Sequence, residues 1–335
     1  MEAMDLFCGA GGLSLGLGAA GFSVVGAVER EPAFCETFSR FHSATEVLQA
    51  DVQSINFKKY AGLDLLAGGP PCQPFSSGGL RLSSEDSRDM TGEFVRAVRD
   101  ARPTAFLMEN VPGLAASSRA EYFASLLRQL RTIGYTTVWK VLNAAEYGVP
   151  QTRRRLFVVG TRKSSKEFVF PAPTHGPGTS RPFVPSGRYL KRGKMLGDAN
   201  ESIVVYAKRP DLRPNPYHGQ LFNGGGRPVD LAAPCHTILA SAGGNKTHFI
   251  DEEEEVPPYH QHLKRGGKPK HGVFSSGRRL TTAECALIQT FAKNTKFAGS
   301  RSKQYTQIGN AVPPKLAEVL GKAIFEHIGK DRSAG

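Results

Sequence analysis

The chain has 335 residues, 40% of them hydrophobic and 22% charged, which is long enough for one large domain or two unequal ones. Its 37 Gly and 22 Pro follow no collagen-like period, so a fibre is excluded, and the apolar content excludes a wholly disordered chain. Lys and Arg outnumber Asp and Glu by 43 to 30, a formal net charge of +13, and a globular chain this basic is suited to a polyanion, nucleic acid first.

Residues 3–7 read as a strand, 9–12 as a Gly-rich turn and 13–20 as an apolar-periodic helix. The stretch 6–28 carries no charge, but seven of its residues are Gly and it is preceded by Glu2 and Asp5. It is therefore read as a buried turn and helix and not as a membrane span or signal peptide. A second strand covers 22–28 and ends at Glu29, and further strands are expected at 63–67, 105–108, 136–142 and 156–160. Helical patterns at about 91–100 and 119–133 fall between them with βαβ spacing, which makes the first half doubly wound α/β.

After about residue 170 the texture changes to short segments of Pro, Gly, Arg and Lys, and no helix is expected before 281–291. This is a second, loop-rich domain. The run from Asp251 to Glu255, followed by Lys264, Arg265, Lys268 and Lys270, reads as a solvated loop of opposite-sign blocks. His260, His262 and His271 lie in the same polar loop without a cysteine partner set, and no metal is expected. An apolar-periodic helix at 314–328 closes the chain and could pack on the first domain; no internal repeat is present. The five cysteines, Cys8, Cys35, Cys72, Cys235 and Cys285, are odd in number and contain no Cys-x-x-Cys pair, which fits a reducing cytoplasm better than a disulfide framework.

Four clusters carry chemistry. Asp5-Leu-Phe-Cys-Gly-Ala-Gly-Gly12 is a strand running into a Gly-rich turn, with Glu29 at the end of the next strand. In nucleotide-binding α/β folds such glycines admit a ligand to the backbone and the acid accepts hydrogen bonds from ribose hydroxyls. The spacing is not Gly-x-Gly-x-x-Gly, which disfavours a dinucleotide and leaves another adenosine ligand or a plain structural turn. Gly68-Gly-Pro-Pro-Cys-Gln-Pro-Phe-Ser76 places Cys72 in a rigid loop at a strand's carboxyl end, as a nucleophile candidate against the commoner role of a buried thiol. Glu109-Asn-Val-Pro-Gly-Leu114 aims a carboxyl at the same edge, and Gln151-Thr-Arg-Arg-Arg-Leu156 puts Arg153 and Arg155 on one face if extended, to orient an acid, a base or a phosphate.

In this order the blocks resemble those of the cytosine-C5 DNA methyltransferases. The resemblance continues with Arg279-Leu-Thr-Thr-Ala-Glu284, Ile288-Gln-Thr-Phe291 and Gln307-Ile-Gly-Asn-Ala-Val-Pro313, so it covers essentially the whole chain. It implies a Rossmann-like S-adenosylmethionine-dependent methyltransferase domain with a mixed, mostly parallel sheet, and a smaller loop- and strand-rich target-recognition domain. The implied limits are 1–177 for the catalytic and cofactor-binding domain, 178–278 for target recognition, 279–300 for a hinge and 301–335 for a C-terminal segment returning to the catalytic domain.

The implied chemistry suits the residue types. C5 of cytosine is a poor nucleophile until another nucleophile has added at C6, the part that falls to Cys72. The charge this builds on the ring is relieved at N3 by a carboxyl of raised pKa, the part of Glu109, while Arg153 and Arg155 hold base and acid. The methyl donor is S-adenosyl-L-methionine, with Phe7 on adenine, Gly9, Gly11 and Gly12 along the methionine part, Glu29 on the ribose and Asp51 near the adenine amine. Pro70, Asn310 and Ala311 complete the cofactor-binding set.

The implied partner is double-stranded DNA, with the target cytosine flipped out of the helix. Gln73 and Ser76, from the loop after Cys72, and Arg227, Thr237 and Lys246, from the variable region, are the expected DNA-binding residues. Asn223-Gly-Gly-Gly-Arg227 and Ala240-Ser-Ala-Gly-Gly-Asn-Lys246 resemble the recognition region of bacterial enzymes for CCGG-core sites. A cytoplasmic, nucleoid-associated monomer protecting bacterial DNA from a cognate restriction endonuclease would follow. The rivals are a tRNA cytosine methyltransferase and a DNA-binding regulator with a dead pocket.

Overall fold

The computed structural model describes residues 1–71, 89–162 and 166–334. Cys72, Gln73 and Ser76 lie outside the described residues. The chain divides into two compact units, the first made of Met1–Tyr147, Arg154–Pro173 and Val312–Gly335, the second of Gly148–Arg153 and Thr174–Ala311. Residues 279–311, which the family pattern assigns to a hinge and a returning segment, cluster with the second unit, and the chain re-enters the first at Val312.

In the first unit β1 (Glu2–Leu6), β2 (Ser23–Glu29), β3 (Glu46–Gln49), β4 (Leu65–Gly68), β5 (Ala105–Asn110), β6 (Tyr135–Asn143) and β7 (Arg154–Arg162) form one sheet in the order β3-β2-β1-β4-β5-β7-β6. The strands from β3 to β5 pair in parallel, and β7 runs antiparallel to both β5 and β6. Central β4 and β5 are buried at every residue, as strands covered on both faces must be, and this is why they are apolar from Leu65 to Gly68 and from Ala105 to Met108.

Helices α1 (Gly12–Ala19), α2 (Pro32–Phe41), α3 (Thr91–Ala101) and α4 (Ala120–Thr132) connect the strands. Two elements add to those the sequence pattern gave. α2 begins with Pro32 in its first turn, where the fixed φ suits a helix and the missing N–H costs nothing, and buries Cys35, Thr37 and Phe38. β3 lies at the sheet edge with no fully buried residue, so it lacks an apolar run to betray it.

The second unit has two small antiparallel sheets, β8 (Tyr206–Asp211) with β9 (Gln220–Phe222) and β10 (Phe249–Asp251) with β11 (Gly277–Arg279). Its helices are α5 (Val256–Lys264), α6 (Thr282–Ile288) and α7 (Arg301–Asn310). An aromatic core holds it, with Phe222 and Phe274 centroids 4.7 Å apart and Tyr206 edge-on to Tyr259 at 5.0 Å.

Helix α5 corrects the expectation of no helix before residue 281. Asp251 is buried, and its carboxylate accepts from Glu255 N at 3.1 Å and Val256 N at 2.7 Å, which satisfies donors at the helix start where Pro257 also fits. The acidic run before α5 is a turn with Glu253 and Glu254 exposed, but one held by ion pairs: Glu252 pairs with Arg278 at 2.6 Å and Glu254 with Arg192 at 2.6 Å. Lys264, Arg265, Lys268 and Lys270 are exposed. His260, expected in a polar loop, is buried on α5 with Nε2 2.7 Å from Arg213 O. α6 starts in a capping box, Glu284 N donating to Thr281 Oγ1 and Thr281 N to the Glu284 carboxylate.

The last helix, α8 (Pro314–Ala334), belongs to the first unit and buries Leu316, Ala317, Leu320 and Ile324. It packs on α1 at glycine: a Cβ on Gly16 would stand 2.3 Å from Ala317 Cβ and 2.5 Å from Glu318 N, while one on Gly18 would meet nothing within 4 Å. Gly16→Ala should therefore destabilise the fold by about 3 kcal/mol through overpacking. Gly18→Ala in the same helix should stabilise it by about 0.5–1 kcal/mol. Urea midpoints of the two variants check this, and equal effects would disprove the close approach. Among the described residues no helix is long and apolar enough to cross a membrane.

Candidate active site

The chain leaves β1 for β2 and β3 on one side, then returns to β4 beside β1 and continues to β5 on the other. The carboxyl ends of the parallel pair β1 and β4, where Leu6 faces Gly68, thus flank a topological switch point, the place where open α/β sheets bind ligands. The loops leaving these two strands carry Phe7 to Gly12 and Gly69 to Pro71.

The first loop has an unusual backbone. Phe7, Gly9 and Gly11 have φ of 56°, 53° and 81°, and a non-glycine residue in this region is costly enough to point to a functional constraint. A Cβ on Gly11 would lie 2.8 Å from both Phe38 and His42 side chains, so Gly11 is needed for packing as well as for conformation. A Cβ on Gly9 would meet no protein atom within 4 Å, which leaves that face of the turn open. Gly9 N donates to Glu29 Oε2 at 3.0 Å, and Glu29 Oε1 accepts from Arg30 N and Glu31 N at 2.8 and 2.9 Å, fixing the carboxylate at the end of β2.

Asp51 is exposed after β3 and accepts from Gln53 N at 3.0 Å. A half-buried aromatic ring and an open Gly turn follow β1, a fixed carboxylate ends β2 and an exposed acid follows β3, residue types that suit an adenosine carrying an amino-acid tail.

Beneath this loop Ser14 donates to Asp5 Oδ2 at 2.6 Å. Burial pushes the Asp5 carboxyl up to about 7, the Ser14 hydrogen bond opposing this and the nearby Glu29 charge adding to it. The native state therefore holds a proton that the unfolded chain has lost above its ordinary value of 3.8, and stability from this group falls as pH rises from about 4 to about 7. Asp5→Asn should abolish that slope and raise stability at pH 8 by about 3 kcal/mol, read from urea unfolding at pH 5 and pH 8. An unchanged difference between the two pH values would refute it.

β5 delivers Glu109 and Asn110 to the same edge. Glu109 Oε1 lies 3.0 Å from Arg155 Nε, and the two side chains are 11% and 16% exposed. Burial pulls the Arg155 guanidinium down and the Glu109 charge pulls it up. Asn110 Nδ2 donates to Pro70 O at 3.1 Å, which ties the loop after β4 to β5, and a Cβ on Gly69 would come within 3.1 Å of Glu109 Oε2. Of the cysteines, Cys8, Cys35, Cys235 and Cys285 are buried, and burial pushes each thiol up, Cys35 to about 11 and Cys235 to about 12, so none of these four is a ready nucleophile.

Arg153 and Arg155 do not share a fate. β7 starts at Arg154, and Arg153, fully buried in the second unit, donates to Gly309 O at 2.8 Å, Ile238 O at 3.3 Å and Asn310 O at 3.4 Å. In the same unit Thr237 Oγ1 donates to Thr152 O at 2.7 Å, and Ile238 N donates to Gln151 Oε1 at 2.9 Å. Gln151 Nε2 in turn donates to Gln289 Oε1 at 2.9 Å. Arg227 is half-buried and Lys246 exposed; Asn310 is exposed and Ala311 half-buried.

Gln151, Gln289 and Asn110 are the structural links that residue-type reasoning passed over. Each was visible inside a quoted block, but nothing in an amide's identity says which carbonyl it will reach.

The family model for C-5 cytosine-specific DNA methylase matches residues 1–209 and 227–326. The chain is 33% identical over 337 residues to the Type II methyltransferase M1.HphI of Haemophilus parahaemolyticus, covering 96% of this chain and 86% of that protein. It is 32% identical over 330 residues to the Type II methyltransferase M.NgoMIV of Neisseria gonorrhoeae, covering 98% of each. The fold is similar to the crystal structure of S. pombe Dnmt2 methyltransferase, with TM-score 0.69 at 16% identity over 97% of this chain and 98% of that one. With the family model matching both ends and the relatives aligned over nearly its whole length, the chain belongs to the C-5 cytosine-specific DNA methylases: it is a DNA (cytosine-5-)-methyltransferase with S-adenosyl-L-methionine as methyl donor.

Proposed function

We propose that this enzyme methylates one short sequence in double-stranded DNA through a covalent Cys72 adduct, acting on a cytosine flipped out of the duplex. The observation that carries the reading is the nearly buried Arg155–Glu109 pair at the end of β5, tied through Asn110 to the loop that leads to Cys72. A carboxyl held in this way is suited to bond N3 of cytosine while negative charge develops on the ring.

In the proposed sequence the Cys72 thiolate forms an S–C6 bond, and the electron pair of the C5–C6 double bond is drawn into the ring, where Glu109 meets it with a proton at N3. Arg155 keeps Glu109 at the sheet edge. S-adenosyl-L-methionine would be held by Phe7, Gly9, Gly11, Gly12, Glu29, Asp51 and Pro70, with Asn310 and Ala311, and would supply the electrophilic methyl group that the now nucleophilic C5 takes as the methyl–sulfur bond breaks. As the methyl group joins C5, Glu109 takes the N3 proton back; loss of the C5 proton to a base then restores the C5–C6 double bond as the S–C6 bond breaks and frees the Cys72 thiolate.

A flipped base costs a few kcal/mol of stacking and pairing, which the basic surface must offset. Gln73 and Ser76 are proposed to fill the space left in the duplex, with Arg227, Thr237 and Lys246 contacting the site. Arg153 is proposed to act from behind, by holding Ile238 beside Thr237. A CCGG core is the proposed target, and protection of host DNA from an endonuclease of the same specificity, by a cytoplasmic monomer on the nucleoid, the proposed role.

The test is to incubate the protein with S-adenosyl-L-methionine and unmethylated plasmid and to map 5-methylcytosine base by base. Methylation confined to one motif is expected, together with a denaturation-resistant complex on DNA carrying 5-fluorocytosine at that position. Cys72→Ser should abolish both signals. Methylation of an RNA transcript but not of duplex DNA would overturn the substrate, and turnover without a trapped complex would overturn the covalent route.

A further inference from the structure

The second unit contains a histidine that no part of this mechanism uses. His248 is 3% exposed and sits just before β10. Its Nδ1 lies 3.1 Å from Arg227 N and its Nε2 lies 3.1 Å from Thr237 O. A backbone N–H can only donate and a carbonyl can only accept, so the ring must be neutral with its proton on Nε2. Burial and the neighbouring His236, Arg227 and Arg279 all disfavour its charged form, while the Thr237 carbonyl alone favours it, and its pKa is pushed down to about 4. The His236 ring stands 5.7 Å away.

The rest of each partner segment is anchored separately. Gly226 N donates to Asn245 O and Phe249 N to Arg227 O, so the segment carrying Arg227 runs beside the one carrying Lys246 and His248. Ile238 is held from the other side by Gln151 and Arg153. The His248 ring joins these two assemblies, and its fixed width sets the separation between Arg227 and Thr237.

We propose that His248 is a positioning residue for target recognition: its neutral imidazole spaces the Arg227 and Thr237 segments, and that spacing determines which base pairs the enzyme discriminates. This rests on the reading that Arg227 and Thr237 contact DNA. A hydrogen-bonded bridge with no exposed polar atom of its own cannot read a base, but a shift of either segment by a fraction of an ångström spoils bidentate contacts whose geometry is strict.

The experiment compares His248→Asn, His248→Gln and His248→Phe with the parent enzyme. It measures kcat/KM on the mapped site and on every single-base variant of it. The Asn side chain reaches the Nδ1 position and keeps the bond to Arg227 N; the Gln side chain reaches the Nε2 position and keeps the bond to Thr237 O. Each is expected to lose about tenfold in discrimination, at different base pairs. His248→Phe should lose it at both sets, with KM for S-adenosyl-L-methionine unchanged.

A merely structural histidine would lower the unfolding midpoint and the active fraction without moving these ratios. Ratios equal to the parent in the folded variants would overturn the proposal, and the Asn and Gln variants carry the test where the Phe variant does not fold. Arg227→Ala separates the two levels. If it alters discrimination and the His248 variants do not, the spacing role falls and the recognition reading stands; if neither does, both fall.

Discussion

Replacing Glu109 by Gln should lower kcat on duplex DNA by about 10³-fold, the scale of a lost general acid, while the affinity for S-adenosyl-L-methionine stays within about a factor of two. The expectation follows from the sheet. β5 is buried along its length and ends at the carboxyl edge, so the Glu109 backbone cannot shift. Gln keeps the shape, and its carbonyl can still accept from Arg155 Nε, but an amide has no proton to release to N3 and take back.

The substitution also removes the countercharge of a guanidinium that is mostly buried, and should cost about 2 kcal/mol in urea unfolding. Activity must therefore be normalised to folded protein. A kcat within threefold of the parent would remove Glu109 from the chemistry, and a large change in cofactor affinity would assign it to the cofactor pocket instead.

Much of the first unit was legible because its sheet is doubly covered. Leu65 to Gly68 and Ala105 to Met108 are short apolar runs with turn signals after them, and such runs have few alternatives to central parallel strands. Their order along the chain then implied the crevice, and the glycines beside β1 implied what could approach it. The second unit was opaque for the opposite reason. Its aromatic core, Tyr206, Phe222, Phe249, Tyr259 and Phe274, is gathered from short strands, α5 and the stretch before β11, and no window of sequence is long enough to show a period.

α5 was hidden by chemistry that usually marks a loop: four glutamates just before it and two prolines in its first turn. The carboxylate of Asp251, at the head of that stretch, accepts from Glu255 N and Val256 N and turns its end into a helix start. The histidines misled in the same way, since His260 looks solvated among lysines and is buried against Arg213 O.

The two arginines of the Gln-x-Arg-x-Arg block give the sharpest case. Alternation along an extended segment puts Arg153 and Arg155 on one face, but the strand begins only at Arg154, and Arg153 bonds carbonyls of Ile238, Gly309 and Asn310 while Arg155 pairs with Glu109. Arg153→Ala would leave the carbonyls of Ile238, Gly309 and Asn310 without a buried cationic donor and should cost about 3–5 kcal/mol in urea unfolding. Arg153→Lys should recover only part of this, because one ammonium cannot span three acceptors that the planar fork reaches. Its loss of kcat on the mapped site should follow the unfolded fraction and be recovered on cooling or with a stabilising osmolyte, while discrimination against single-base variants of the site falls with the weaker hold on Ile238.

Arg155→Ala should behave differently. It frees the Glu109 carboxyl to move away from N3, so kcat per folded molecule should fall by about 10²-fold and no osmolyte should restore it. Measuring folded fraction and single-turnover rate together for both variants distinguishes the roles. Equal losses per folded molecule would show that Arg153 also reaches the reacting base, and the two arginines would then share one role after all.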